Sequence, residues 1–450
     1  MNLLSIVLAA GKGTRMKSNI PKVLHPVGGE SMLSHVLDKV FSMNSKIITV
    51  VGYRAEKVRN SIEEERRVRF VKQKNQLGTG HAVLQAKKYI ENHEGPVLIL
   101  YGDTPLLTEK SLSNMVDYFK SSNAEAAVLT AFIENPRGYG RIVRDEKENI
   151  KKIVEESDAT SKEKAIKEIN TGVYCFDSTL LAQGLENLEC DNAQEEYYLT
   201  DIISYAGEKD KKVIPVPVED NQEIIGVNNR KDLAEAEKIY RKLINETHMQ
   251  NGVSILDPDT TFIDKKVKIG QDTIIYPFTY IEGNSEIGEN TIIGPHCRIV
   301  NSTLGKNIEL KSNCNIWDSI IENKCTIGPF AYIRPGTRLK EGVKIGDFVE
   351  LKKAEVDQNT KIPHLSYVGD AEIGKKTNIG AGTVFANYDG KNKHKTKVGD
   401  SAFIGSNSTL VAPLKIGDKG KTGAGAVVTK DVSDDTTVIG VPARVYKKKK

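Results

Sequence analysis

The alternation of apolar and polar positions divides the chain near residue 250. Up to about residue 229, short apolar runs at 5–9, 47–51, 97–101 and 127–131 alternate with amphipathic stretches such as 32–41 and 80–89. Buried parallel strands read as unbroken apolar runs and surface helices as a 3.6-residue beat. The pattern therefore predicts an α/β domain around a mostly parallel, Rossmann-like sheet. Arg230–Gln250 places Leu233, Ala236, Tyr240, Leu243 and Ile244 on one helical face and stops at Asn251-Gly252. It reads as a connecting helix between domains at 1–229 and 251–450.

Beyond the helix the period changes. Isoleucine falls on every sixth residue from Ile269 to Ile299, and the beat returns at Ile321, Ile327, Ile333, Leu339, Ile345, Leu351 and at Val398, Ile404, Leu410, Ile416. That period suits neither a helix nor an ordinary strand; it predicts a hexapeptide β-solenoid. With three hexapeptides per coil, residues eighteen apart stack vertically, about 4.8 Å apart at strand spacing. The polar stretch 387–397 breaks the beat and is expected to leave the stack as an external loop.

Composition narrows the functional classes. A net charge of +4, from 64 basic and 60 acidic residues, gives no global field for nucleic acid or membrane. Five scattered cysteines without a Cys-x-x-Cys pair argue against disulfides or structural zinc and fit a reducing cytoplasm. The apolar start runs straight into a glycine turn, as a buried strand does and a signal peptide does not, and no stretch is long enough to span a bilayer. The terminal run Lys447 to Lys450 reads as a solvated tail.

Candidate chemistry begins after the first strand, at Leu8-Ala9-Ala10-Gly11-Lys12-Gly13-Thr14-Arg15-Met16 with Pro21-Lys22 beyond. Glycines let backbone N–H groups approach phosphate oxygens, while Lys12, Arg15 and Lys22 supply positive charge. A dinucleotide fingerprint wants glycine where Met16 stands, and the Walker A spacing is absent. A glycine turn carrying surface cations is the competing reading. Asp103 ends another strand, where α/β proteins bind ligands. In the solenoid, Arg334 follows Ile333 and Lys352 follows Leu351, one eighteen-residue coil apart. Stacked cations repel unless an anion lies between them, so they mark a phosphate site or, more plainly, a pair of solvated charges. His364, two positions after Ile362, is expected to face solvent or ligand as a proton acceptor.

Together with Gln73, Leu77-Gly78-Thr79-Gly80-His81, Tyr101-Gly102-Asp103, Gly138-Tyr139-Gly140-Arg141, Glu155, Asn170-Thr171-Gly172 and Gly226-Val227-Asn228-Asn229, the first domain resembles sugar-phosphate nucleotidyltransferases. The resemblance extends over the whole chain to the bifunctional enzymes that make UDP-N-acetylglucosamine for cell-wall precursors. It implies that Leu8, Ala9, Ala10, Gly11, Lys22, Gln73, Gly78, Thr79, Tyr101 and Gly102 hold UTP, with Arg15 on the departing pyrophosphate. Gly140, Glu155 and Asn170 would line the N-acetylglucosamine pocket, and Asp103 with Asn228 would ligate Mg²⁺. His81 and His25 are expected only to pack or hydrogen-bond.

For the solenoid the resemblance implies a left-handed, trimeric β-helix that transfers acetyl from acetyl-CoA to glucosamine 1-phosphate. Arg334 and Lys352 would bind the phosphate, Tyr367 and Asn378 the sugar, and His364 would be the general base. Ala381, Asn387, Tyr388, Lys393, Ser406 and Ala424 would line the coenzyme channel. Where such enzymes can carry a coenzyme-binding arginine this chain has Gly440, leaving Arg444 as a substitute. The alternative is a nucleotidyltransferase whose solenoid only oligomerises or regulates. A structural repeat protein with a degenerate nucleotide fold conflicts with the Asp103 and Asn228 motifs.

Overall fold

A computed structural model describes residues 2–62, 67–146 and 148–448. Contacts divide the chain into two compact units, Met1–Tyr240 and Arg241–Lys450.

In the first unit a sheet runs, edge to edge, through Val213–Pro217, Ala126–Phe132, Glu168–Asp177, Pro96–Tyr101, Leu4–Ala9, Lys46–Val51 and Arg69–Lys72. Neighbours pair parallel except Glu168–Asp177, which is antiparallel to both flanking strands. Leu4, Ile6 and Leu8 feed one apolar layer and Leu3, Val7 and Ala9 the other, which is why this run carries no polar face. The stretch expected as one helix at 80–89 is two, Thr79–Leu84 and Lys87–Glu91. Between them Gln85 and Ala86 donate to carbonyls three residues back, tightening the turn and redirecting the chain.

Arg230–Gln250 is helical over the expected span, and the division between units falls inside it. Leu233, Ala236, Ile239 and Tyr240 pack with Met16, Val27, Met32, Leu106 and Val227. Further on, Ile244 and Met249 pack against the solenoid core, and the fully buried Asn245 donates to the carbonyls of Pro258 and Thr261.

The second unit is a left-handed parallel β-helix. Its strands pair in parallel with those one coil away, and the sixfold residues from Ile275 to Val428 fill its axis. Corners turn on residues in the left-handed conformation, many of them Asn, Asp or Gly. The coil length departs from the expected constant eighteen. Tyr332 pairs with Glu350 eighteen residues on, whereas Lys344 pairs with Lys361 seventeen on. Five-residue steps such as Ile299 to Leu304 and Leu351 to Val356 remove one residue from a corner. The insertion is also shorter than expected: Thr396–Val398 is already back in the ladder against Ala371 to Ile373. The backbone through Lys448 pairs antiparallel with Thr436–Ile439, while Lys449 and Lys450 of the expected tail lie outside the described residues.

Candidate active sites

The carboxyl ends of the central strands gather the first site. Gly13 sits at φ 61°, and a side chain there would meet the Lys22 stem at 2.6 Å, so glycine is needed both for the turn and for seating Lys22. An added Cβ at Gly11 would meet nothing within 4 Å, so that backbone is open to a ligand. Met16, at the missing third glycine, is buried in an apolar cluster and pins the loop. Ala10 shares its carbonyl with Tyr53, and Leu8 shares its own with Gly102, which sets the strand ends level. The loop at Gly78 and Thr79 is strapped to 197–199: Gly80 donates to the Tyr197 carbonyl and Leu199 donates to the Thr79 hydroxyl. The buried Gln73 amide reaches Gly78 O at 3.1 Å and His81 Nδ1 at 3.0 Å, so His81 orients Gln73. His25 is buried, 3.4 Å from the Arg230 guanidinium; burial first, and that charge second, hold its pKa down.

The two oxygen donors proposed for a metal meet at one point. Val227 N–H donates to the Asp103 carbonyl, which locks the 226–228 loop beside the strand end. Asp103 forms an ion pair with Lys22, whose Nζ lies 3.3 Å from Asn228 Oδ1, and Arg15 reaches the same oxygen at 3.0 Å. One carboxylate and one amide oxygen suit Mg²⁺, which takes few protein ligands and completes its shell with substrate phosphate and water. Among the described residues no cluster of three or more His, Cys, Asp or Glu forms a closed metal cage.

Tyr101, at the end of the strand Pro96–Tyr101, lies within electrostatic reach of both Asp103 and Glu155. An added Cβ at Gly140 would lie 3.4 Å from the Glu155 carboxylate, and one at Gly172 would strike the Tyr101 ring. Burial raises the pKa of Glu155, opposed by a 3.4 Å hydrogen bond from Thr200, and burial likewise holds the Tyr101 hydroxyl protonated. Asn170 donates to the Tyr174 hydroxyl at 2.7 Å, which fixes its amide. The fully buried Arg141 bonds Glu156 at 2.7 Å and anchors the start of the strand Arg141–Arg144, directly after Gly140. Tyr197, Thr200 and Asp232, which accepts from Asn228 N–H, carry no motif; only the fold reveals them.

In the solenoid, Arg334 and Lys352 do stack, because Tyr332 and Ile333 pair with Glu350 and Leu351. Arg334 also has a carboxylate partner on the next coil, bonding Glu350 at 2.6 Å. Lys352 lies close to Lys393 from the inserted loop, and the Lys352 ammonium is the main cause of the lowered pKa at Lys393. In register beside Lys352 the next coil has Gly369, where a side chain would strike the Tyr367 hydroxyl and the Asn387 amide. Asn387 is itself buried, donating to Asp370 at 2.5 Å, so it forms the loop's base rather than an exposed contact. Tyr388 is exposed, and Asp389 braces the loop by accepting from Lys391 N–H, Asn392 N–H and His394.

His364 is exposed, and its Nδ1 contacts the Asp347 carboxylate directly. The two are opposite partners seventeen residues apart, so strict eighteen-residue arithmetic misses Asp347. The same corner continues upward through Ala381, Ser406 and Ala424, with the Gly382, Asn407 and Gly425 amides tying each coil to the one below. The neighbouring glycines 380 and 405 are required by stacking itself, since an added Cβ would meet the next coil's backbone at 2.5 and 2.6 Å. Tyr367 and Asn378 flank this corner on adjoining faces. Arg444 is exposed beyond the last coil.

Comparison with known proteins matches both halves. The nucleotidyl transferase family covers residues 4–248, and the GMPPB C-terminal domain family covers residues 258–356. A Listeria monocytogenes serotype 4a protein named Bifunctional protein GlmU is 47% identical over 432 residues, covering 96% of this chain and 94% of its own. The chain belongs to the GlmU family. Relatives of the same name from Acetivibrio thermocellus (47% over 438 residues, 97% of this chain and 94% of theirs) and Alkaliphilus metalliredigens (48% over 443, 98% and 96%) span both units. As a member of the GlmU family the chain is a bifunctional enzyme of UDP-N-acetylglucosamine synthesis, with uridylyltransferase and acetyltransferase activities. Among the described residues no helix is long and apolar enough to cross a membrane.

Proposed function

We propose that the solenoid acetylates glucosamine 1-phosphate from acetyl-CoA and that the α/β unit then joins the product to UTP, releasing pyrophosphate. The observation carrying the first step is the His364–Asp347 contact beside the Arg334, Lys352 and Lys393 cluster: neither is needed to stack coils. The sugar phosphate sits on those cations, with Lys393 joining the phosphate rather than serving the coenzyme alone. A protonated amine has no lone pair. His364 Nε2 therefore takes a proton from the sugar ammonium, the freed amine attacks the thioester carbonyl, the C–S bond breaks, and the second proton lost by the nitrogen goes to the departing thiolate of coenzyme A. Asp347 holds the imidazole by Nδ1, fixing which nitrogen faces the substrate. Ala381, Ser406 and Ala424 leave the corner low enough for the pantetheine arm, and Tyr388 and Arg444 offer contacts to its far end.

At the other site the sugar 1-phosphate is already ionised and attacks the α-phosphorus of UTP without a base. Catalysis is then positioning and neutralisation of charge. The open backbone at Gly11, next to Ala10, cradles phosphates, Gln73, Gly78 and Thr79 hold the base, and Arg15 meets the pyrophosphate as it leaves. Glu155, Asn170 and Gly140 position the N-acetyl sugar. Asp103 and Asn228 would hold Mg²⁺, which when bound supplies charge neutralisation at the phosphate oxygens.

The unit is proposed to act as a homotrimer. Phe278, His296, Asn313, Phe330, Phe348 and Leu365 form a corner column in the left-handed conformation, and its apolar members Phe278, Phe330, Phe348 and Leu365 are exposed. Phe330 stacks on Phe348 at 5.1 Å and Phe278 on His296 at 4.9 Å. Such a conformation costs bulky residues about 1–2 kcal/mol each, and an apolar column beside the His364 corner marks an interaction surface. All five cysteines are free, as a cytoplasmic enzyme would keep them. Incubation with acetyl-CoA and glucosamine 1-phosphate should release free thiol, and His364→Ala should abolish the release. An intact protein releasing none would leave a nucleotidyltransferase with a non-catalytic solenoid.

A further inference from the structure

The oxygens that would receive the metal are engaged by this chain's own ammonium. Lys22 Nζ is ion-paired with Asp103 and lies 3.3 Å from Asn228 Oδ1, and both charged side chains are largely buried, 15% and 14% exposed. A divalent cation brought to the same two oxygens would lie next to the ammonium that contacts them. The charges would repel at contact distance, and Asp103 offers the only carboxylate in this contact set. The Lys22 stem is held against Gly13 in the phosphate-facing turn as far as its δ-carbon, so the ammonium is re-aimed by rotation about the last bonds of the side chain.

We propose that Lys22 is an internal stand-in for the divalent cation: it keeps Asp103 and Asn228 together before loading, is displaced when the metal enters, and then turns to the triphosphate. The inference rests on Asp103 and Asn228 being the metal ligands. It has a thermodynamic consequence distinct from a lysine that only binds phosphate. Metal alone must break the Lys22 contact and binds weakly; nucleotide gives the displaced ammonium a new anion and so raises metal affinity. Arg15 touches Asn228, and among the described residues the ion pair to Asp103 comes from Lys22, so Arg15 does not compete for the carboxylate.

The test measures Mn²⁺ binding to the full-length, nucleotide-free protein by the loss of the free-ion paramagnetic resonance signal. Lys22→Ala and Lys22→Met should each bind Mn²⁺ at least about tenfold more tightly than the unsubstituted protein, while binding UTP more weakly. Arg15→Ala should change Mn²⁺ affinity by less than about threefold. Unchanged or weaker Mn²⁺ binding in both Lys22 variants, with melting curves showing folded protein, overturns the proposal. So does an equal gain in Arg15→Ala, which would trace the effect to general charge. Asp103→Ala separates the two readings: Mn²⁺ binding unaffected by that change would remove the metal assignment itself.

Discussion

At the N-terminal site Arg15 meets Asn228 across 213 residues of chain, and Lys22 meets the same amide across 206. The solenoid site joins His364 to Asp347 across 17 and Arg334 to Glu350 across 16. The first is assembled from loops that end different strands, each held by bonds such as Val227 to Asp103 or Leu199 to Thr79. The second is written into the repeat: once the coil closes, backbone register decides which side chains touch. A loop-built site can be altered one strap at a time, whereas in a solenoid the spacing between columns is itself the catalytic geometry.

Separability is the sharpest consequence. Asp103→Ala should lower uridylyl transfer by about a thousandfold or more, as expected when a principal charge-stabilising group is lost. It should leave acetyl transfer unchanged. His364→Ala should do the reverse, by about 10²- to 10⁴-fold. Parallel assays of pyrophosphate and thiol release check both, and loss of both activities in either variant would break the division of labour.

Register is tested next by Asp347→Asn. It keeps shape but removes the charge from the imidazole's partner, and should lower kcat for acetyl transfer by about 10- to 100-fold with little change in KM for glucosamine 1-phosphate. An unchanged kcat would reduce the His364–Asp347 contact to a surface pairing. Phosphate recognition follows: Arg334→Ala should raise KM for the sugar phosphate about tenfold or more, the loss of a charge-assisted hydrogen bond. The smallest effect belongs to the α/β unit. Burial, and secondarily Asp158, push the Asp201 carboxyl up to about 6. A raised carboxylate pKa means the folded state holds the proton more tightly than the unfolded chain, so Asp201 favours folding at low pH. That contribution fades as pH rises from about 4 through about 6. Asp201→Asn should therefore raise the melting temperature by a few degrees at pH 7.5 and leave it unchanged near pH 3.5.

Much of this architecture was legible in residue order. The sixfold apolar beat, the helix at Arg230–Gln250 and the strands around the glycine turn follow from side-chain period and local backbone preference, which act over a few residues. The motif residues Lys22, Gln73, Asp103, Glu155 and Asn228 were legible through resemblance. Contacts set by packing were not. Asp347 was hidden because a five-residue corner shortens its coil to seventeen, and the Lys22 ion pair with Asp103 because nothing local links a glycine-turn lysine to a strand end. The 80–89 segment breaks into two helices at a joint where Ala86 is fully buried, a decision of tertiary packing rather than propensity. Periodicity and propensity are local, so the chain alone decides which faces are apolar and where coils begin. Which charges neutralise one another depends on distances that exist only once distant segments have been brought together.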